Sequence, residues 1–323
     1  MLKDIPFLPQ AASAMAGRVD LLYLFLIAVS VFFFVLVATL VFIFAIRYRK
    51  REGGADPTPI HGSLGLELLW TIIPFCLSMV MFGWGAVLYF NMFSPPEDAQ
   101  NIYVVGKQWM WKIQHPEGNR EIDELHVPLG ASVRLIMTSE DVIHSFYVPA
   151  FRMKMDVVPG RYTSTWFKAT KIGKYHLFCA EYCGTKHSEM VGSVYVMDPV
   201  EYEDWLNRST TATKSMAEVG GELFTQLGCQ TCHFEQSGGR GPSLHNLYDT
   251  PVRLMSGETV KADDGYLRQA ILDPAGQVVE GYLPIMPTYK TQVDEEDVLK
   301  LIAYIKSLAL PQKMSAHPAE ENQ

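Results

Sequence analysis

Cys179, Cys183, His187 and Met190 fall within the single run Cys179-Ala-Glu-Tyr-Cys183-Gly-Thr-Lys-His187-Ser-Glu-Met190. Two thiols, an imidazole and a thioether at this density make a soft donor set, the kind that selects copper over magnesium or calcium. A second cluster, Cys229-Gln-Thr-Cys232-His233, has the spacing by which two cysteines attach a c-type haem and the next histidine ligates its iron. Both clusters suit the movement of single electrons. Short-loop disulfides are the plain alternative, but they leave His187, Met190 and His233 at ligand spacing unexplained. Cys76, the last of five cysteines, lies in an apolar stretch and reads as a small buried hydrophobe.

The second cysteine of the first cluster sets its chemistry. A blue-copper site has one cysteine, two histidines and a weak axial methionine. Two cysteines four residues apart can instead bridge two copper ions, with one histidine terminating each. Sharing an electron over two metals lowers the reorganisation per transfer, which suits a relay. Cupredoxin-type sites take a histidine from an early strand, and His144 in Ser139-Glu-Asp-Val-Ile-His144-Ser-Phe-Tyr-Val-Pro149 fits that place. His115, His126 and His176 read as surface or strand residues. Tetrahedral zinc is the rival occupant, and it leaves the thioether of Met190 without a use. A sixth ligand for the haem must come from downstream: Met286 is the first candidate, with Met255 and His245 as competitors. Methionine/histidine ligation raises the haem potential, as a donor to copper requires.

These sites need elements to hold them. Leu21 to Ile46 and Leu68 to Phe90 are uncharged runs of 26 and 23 residues, each long enough to cross a bilayer with some tilt. Pro74 near the start of the second is a tolerable kink in a membrane helix. A signal peptide does not fit the first run, which is too long and is preceded by Lys3 beside Asp4. The connection begins Arg47-Tyr-Arg49-Lys50-Arg51, whereas Ser94 to Gln100 holds Glu97 and Asp98 and no basic residue. The positive-inside rule then puts the connection in the cytoplasm and both termini on the periplasmic side, where c-type haem is attached. The formal net charge of -8 speaks against nucleic acid as a partner.

From Asn101 onward, 102–105, 132–137, 163–167, 175–178 and 193–197 read as short β-branched and aromatic strands between Gly, Pro and Asp turns. The expected architecture is an anchor over 1–100, a β cupredoxin-like Greek-key barrel over 101–206, and a hydroxyl-rich linker over 207–216. A small all-α haem domain over 217–311, closed by an amphipathic helix from Glu295 to Leu308, and a polar tail over 312–323 complete it.

Leu177-Phe-Cys-Ala-Glu-Tyr-Cys-Gly-Thr-Lys-His-Ser-Glu-Met190 resembles the dinuclear CuA loop of cytochrome c oxidase subunit II. The blocks around His144, Lys154-Met-Asp-Val-Val-Pro-Gly-Arg161, Gln108-Trp-Met-Trp111 and Leu66-Glu-Leu-Leu-Trp70-Thr-Ile-Ile-Pro74 resemble that family in the same order. The resemblance implies His144, Cys179, Cys183, His187 and Met190 as copper ligands, with Glu181 adding its backbone carbonyl and turning its carboxylate toward a magnesium ion at subunit I. It implies Trp109 as the surface tryptophan through which electrons reach copper, although Met110 stands where the family usually has tyrosine. It implies Glu67 at the mouth of a proton channel, where a snorkelling acid is the plain alternative. Trp111 reads as a core aromatic.

The haem segment is similar to class I cytochromes c, in which Gly241-Pro242 would orient His233 and Met286-Pro287 would supply the axial methionine. The whole chain resembles subunit II of a caa3-type oxidase, a bacterial inner-membrane complex that reduces oxygen to water and pumps protons. Its partners would be subunit I, subunit III and an external donor, either a cytochrome c or a quinol-oxidising complex. A quinol oxidase subunit would lack the copper ligands. A nitric oxide reductase subunit or an anchored copper and haem shuttle are the alternatives, with Glu67 and Glu181 favouring an oxidase.

Overall fold

The computed structural model describes residues 8–49, 62–210, 214–233 and 239–309. The two apolar runs form α1 (Ala16–Arg47) and α2 (Leu64–Phe93), with Pro74 inside α2. Both extend past the expected 21–46 and 68–90, through flanks that hold Gly17 and Gly65 but no proline. At ~1.5 Å per residue each is longer than a ~30 Å hydrocarbon core. Phe25 and Trp84 meet between them, with centroids 5.5 Å apart. Cys76, expected to be buried, is exposed on α2, since a two-helix hairpin leaves most of its surface for lipid or another chain. Lys50 and Arg51 of the basic connection, and the polar tail, lie outside the described residues.

The barrel comprises β1 (Gln100–Lys107), β2 (Met110–Gln114), β3 (Arg120–Ile122), β4 (Glu124–Pro128), β5 (Ser132–Ser139), β6 (His144–Val148), β7 (Met153–Val157), β8 (Thr163–Lys168), β9 (Gly173–Cys179) and β10 (Val191–Met197). They form two five-stranded sheets in the orders β3-β2-β1-β5-β8 and β4-β10-β9-β6-β7. The β1–β5 and β4–β10 pairs are parallel and the other named pairs antiparallel, the crossover pattern expected of a Greek key. Alternation sends Ile102, Val104, Trp111, Ile113, Leu135, Met137 and Phe146 inward to one core. Two ties join this barrel to the membrane helices. Arg152 Nε donates to Asp20 of α1 at 2.7 Å, and Trp166 Nε1 donates to the Asn91 carbonyl of α2 at 3.0 Å.

α3 (Pro199–Thr210) leaves the barrel and is held by a polar clasp. Glu121 accepts from His115 Nε2 at 2.8 Å and pairs with His126 Nδ1. The His126 ring stacks between Tyr195 and Trp205 at 4.5 and 4.6 Å. His115, expected on a surface or strand, is fully buried, because its second nitrogen faces the Tyr202 hydroxyl of α3 at 3.3 Å. The expected 207–216 linker is helical at both ends. Asn207 to Thr210 finish α3, and Ser215 caps α4 (Met216–Gln226) in a capping box with Glu218. Residues 211–213 lie outside the described residues.

The haem domain adds β11 (Pro251–Arg253), β12 (Thr259–Lys261), α5 (Asp264–Leu272) and α6 (Glu295–Ser307), close to the expected closing helix. Val298, Leu301, Ile302 and Ile305 of α6 pack with Phe224, Leu267 and Ile271. α4 crosses α6 at Gly220, where a Cβ would stand 2.0 Å from the Lys300 carbonyl oxygen. Glycine is required there by close backbone approach. Gly220→Ala should cost about 1–3 kcal/mol as overpacking, read by denaturant unfolding of the haem domain. Gly221→Ala, which meets the Tyr304 ring at 3.1 Å, should cost less; equal stability of the Gly220 variant and the parent would contradict the close crossing.

Candidate copper and haem sites

β9 ends on Cys179 and β10 starts just after Met190, so the loop between them returns to one edge of the barrel. β6 begins on His144 and pairs with β9, which brings that histidine beside the loop. The sulfurs of Cys179 and Cys183 are 3.7 Å apart, too far for a disulfide bond of ~2.0 Å. His144 Nδ1 lies 4.0 Å from the Cys179 sulfur, and His187 Nδ1 lies 3.6 Å from that of Cys183. Met190 Sδ is 3.8 Å from Cys183 Sγ, and the Glu181 carbonyl oxygen is 3.2 Å from Cys179 Sγ. A metal about 2.0–2.3 Å from each nitrogen and sulfur spans donor pairs of this separation. Each thiol thus has its own imidazole plus one weaker donor, a set that fits two soft ions sharing both sulfurs. The Glu181 side chain is exposed beside the site.

Outer contacts fix these donors. Asp141 Oδ1 accepts from His144 Nε2 at 2.8 Å, which leaves Nδ1 facing sulfur. Gln108 Nε2 and Trp109 Nε1 both donate to the Cys183 carbonyl, at 2.8 and 3.2 Å. Gln108 N also donates to Asp141 Oδ2 at 2.7 Å, so the β1–β2 turn clamps both halves of the site. Trp109 is half-buried against the barrel core, and Trp111 is fully buried with its ring edge-on to His144 at 5.9 Å. Asp141 and Gln108 were not singled out from sequence; the acid three residues before His144 was the available sign. Gly106 was also missed. A Cβ there would lie 3.0 Å from His144 Cδ2, and a lone glycine inside a strand is the usual mark of such an approach.

Burial disfavours the Cys179 thiolate, but hydrogen bonds from His144 and the backbone outweigh it and bring the thiol down to about 6. Burial and the neighbouring Cys179 charge push Cys183 up to about 12. Without a cation, the pair therefore holds one proton at neutral pH.

The haem signature lies against a cavity of about 340 Å³ lined by Cys229, Cys232, His233, Leu301, Ile305 and Met286 among others. His233 Nδ1 donates to the Pro242 carbonyl at 2.8 Å, which leaves Nε2 for iron. Gly241 packs on the same ring, where a Cβ would lie 2.8 Å from Cε1. Met286 reaches the cavity. Met255 is 64 % exposed, and neither it nor His245 is among the lining residues. An apolar cavity whose lining includes two thiols, an imidazole and a thioether fits a covalent haem. Glu67 lies in the first turn of α2, exposed, at the end remote from the barrel.

Copper uptake must expel the Cys183 proton and, where His144 is charged, that imidazole's proton too, since burial opposes its charge but Cys179 and Asp141 raise its pKa. Apparent affinity should therefore rise by at least about tenfold per pH unit around neutrality. Asp141→Ala should lower copper affinity by about 10–100-fold without unfolding the barrel. Competition titration at several pH values reads both effects; pH-independent affinity, or an unaffected Asp141→Ala, would contradict the site as described.

Three segments match known families: residues 4–83 match "Cytochrome C oxidase subunit II, transmembrane domain", 120–197 match its periplasmic domain, and 217–309 match "Cytochrome c". Cytochrome c oxidase subunit 2 of Alkalihalophilus pseudofirmus is 30% identical over 276 residues, covering 81% of this chain and 79% of its own. The protein of the same name from Thermostichus vulcanus is 32% identical over 253 residues, covering 61% and 77%. The crystal structure of the periplasmic domain of cytochrome oxidase subunit II of Bradyrhizobium japonicum matches at 31% identity, covering 37% of this chain and 99% of that one, with a TM-score of 0.36. This chain belongs to the cytochrome c oxidase subunit II family and is a membrane-anchored member with a CuA-type copper domain followed by a cytochrome c domain.

Proposed function

We propose that the chain is the electron-accepting subunit of a caa3-type oxidase, taking electrons from an external donor at haem c and passing them through dinuclear copper to subunit I. The observation that carries this reading is the convergence of six donor atoms on the β9–β10 loop, with each thiol beside its own imidazole nitrogen. Copper bound there supplies a shared one-electron centre. His144, Cys179, Cys183, His187, Met190 and the Glu181 carbonyl would hold it. Asp141 fixes the His144 ring, and the Gln108 and Trp109 donors hold the Cys183 backbone against loop movement. Trp109, on the family resemblance, is the surface tryptophan through which electrons would reach copper. Cys229 and Cys232 would bind haem covalently, with His233 and Met286 as axial ligands.

The finer assignments rest on the same reading. Glu181, exposed beside the copper loop, would turn its carboxylate to a magnesium ion at the subunit I border. Glu67 would stand at the mouth of a proton channel in subunit I. Oxygen reduction belongs to subunit I, with subunit III as a further partner and a cytochrome c or quinol-oxidising complex as donor. The barrel-side ends of α1 and α2 would face the periplasm across a bacterial inner membrane. The proposed units are the anchor over 1–100, the copper domain over 101–206, the linker over 207–216 and the haem domain over 217–311.

The soluble fragment from Gln100 onward should bind two copper ions and one covalent haem. Its oxidised copper should show the EPR hyperfine pattern of one electron shared by two equivalent nuclei; a single copper, or zinc in preference, would sink the dinuclear assignment. Met286→Ala should abolish the methionine-to-iron charge-transfer band and lower the haem potential, whereas Met255→Ala should change neither. The reverse outcome would move the axial role to Met255.

A further inference from the structure

Two faces of α6 meet different things. Leu301 and Ile305 line the cavity that carries Cys229, Cys232 and His233. Leu299, 1% exposed, and Ala303 pack instead with Tyr103, Val105 and Ile136, on the outer face of β1 and β5. The residue after Val105 is Gly106, whose missing side chain lets the strand press on His144. One strand therefore separates α6 from a copper ligand.

Polar contacts lock this face. Lys112 Nζ reaches Glu140 of the barrel and Glu296 of α6, both at 2.8 Å. Arg268 of α5 donates to the Gly160 carbonyl of the barrel at 2.6 Å while paired with Glu295. The Lys306 ammonium lies 3.5 Å from the Tyr103 hydroxyl. Met216 N donates to the Pro116 carbonyl at 3.1 Å, so α4 is fastened at its first residue as well. Burial opposes the charge on Lys112, but its two carboxylate partners hold its pKa above the ordinary lysine value, so the Lys112 bridge persists through neutral pH.

We propose that this docked face is the fixed junction between the two redox domains, admitting the haem's electron to the barrel at Val105–Gly106 behind His144 rather than at Trp109. The proposal rests on the copper and haem reading above. One electron leaves the haem iron and one arrives at the copper pair, with no proton or group moving alongside. Electron tunnelling weakens steeply across empty gaps and less steeply through packed atoms, and α6 against β1 offers continuous packing from cavity wall to copper ligand. Lys112, Glu296 and Leu299 are positioning residues in this arrangement.

The test uses the full chain carrying both metals, with amide exchange and rapid-mixing reduction as separate readouts. Glu296→Lys, and independently Ile136→Asp on the barrel's outer face, should lose protection of the Met216 amide, whose hydrogen bond to the Pro116 carbonyl crosses the junction, and slow haem-to-copper transfer severalfold. Copper content and haem spectrum should stay unchanged, and loss of the Met216 protection should be seen in copper-free chain too. Zero-length cross-linking of Lys112 to Glu296, mapped by mass spectrometry, should leave the transfer rate intact, because it freezes the working geometry. Collapse of the rate on cross-linking, or an unchanged rate in both undocked variants, would each overturn the junction. Failure to load copper or haem at all would instead strike the underlying functional reading.

Discussion

Two thiol sulfurs held 3.7 Å apart without bonding are the constraint on which the copper domain depends. Neither can become a thiolate without raising the cost for the other, and burial together with that repulsion pushes Cys183 up to about 12. A soft cation between them removes the conflict, so the loop is built for a state that the polypeptide alone cannot reach. A flexible loop would relieve the repulsion by letting the sulfurs separate. The barrel prevents it by ending β9 on Cys179, starting β10 after Met190, and holding the Cys183 carbonyl with two side-chain donors from the β1–β2 turn. Rigidity of this kind is what a one-electron relay requires, since donors held in place add little reorganisation.

The same stiffness passes outward to the membrane. Asp20 and Arg152 form a partly buried pair, and Ser13 donates to the Phe151 carbonyl at 2.9 Å. Removing one member of such a pair leaves a charge without its partner in a poorly solvated place, which is why these contacts resist sliding. Arg152 itself adopts φ 53°, a left-handed backbone that a non-glycine residue holds only where surrounding contacts fix it. The barrel therefore sits on the helices in a set orientation, and a subunit I that grips α1 and α2 would find the copper loop at a fixed height.

Much of this was legible in the sequence because metal sites advertise themselves through residue type and spacing. The Cys179–Met190 run and Cys229–His233 pointed to copper and haem, in line with the two domain families that the chain matches, and the uncharged runs pointed to the helices. His144 needed only its place on an early strand. Less visible were residues whose role exists only after folding. Asp141 is an ordinary acid until β6 turns His144 toward it, Gln108 an ordinary amide until the loop arrives, and Gly106 an ordinary strand glycine until an imidazole packs on it. Strands β2, β3, β4 and β7 also escaped the sequence reading, and β6 was marked only by the place expected of His144. Several are short or lie next to charged clusters such as Glu121–Glu124–His126, where alternation is obscured by polar residues that pair with each other rather than with water.

The haem domain shows how a hydroxyl-rich stretch can mislead. Its composition suggests a free tether, yet Ser215 uses its hydroxyl to cap α4 and Met216 is 1% exposed against the barrel. Tyr103 and Val105 carry the opposite message. They occupy outward positions of a strand whose inward neighbours already fill the core, so alternation alone would expect polar residues there. Their apolar character has meaning only if something covers them, and α6 does. The fusion of the two domains is thus written into the barrel's outer face, not only into chain continuity. A tether alone would raise the local concentration of haem near copper and leave orientation to chance. A covered apolar face ringed by Lys112–Glu296 and Arg268–Gly160 fixes the orientation as well.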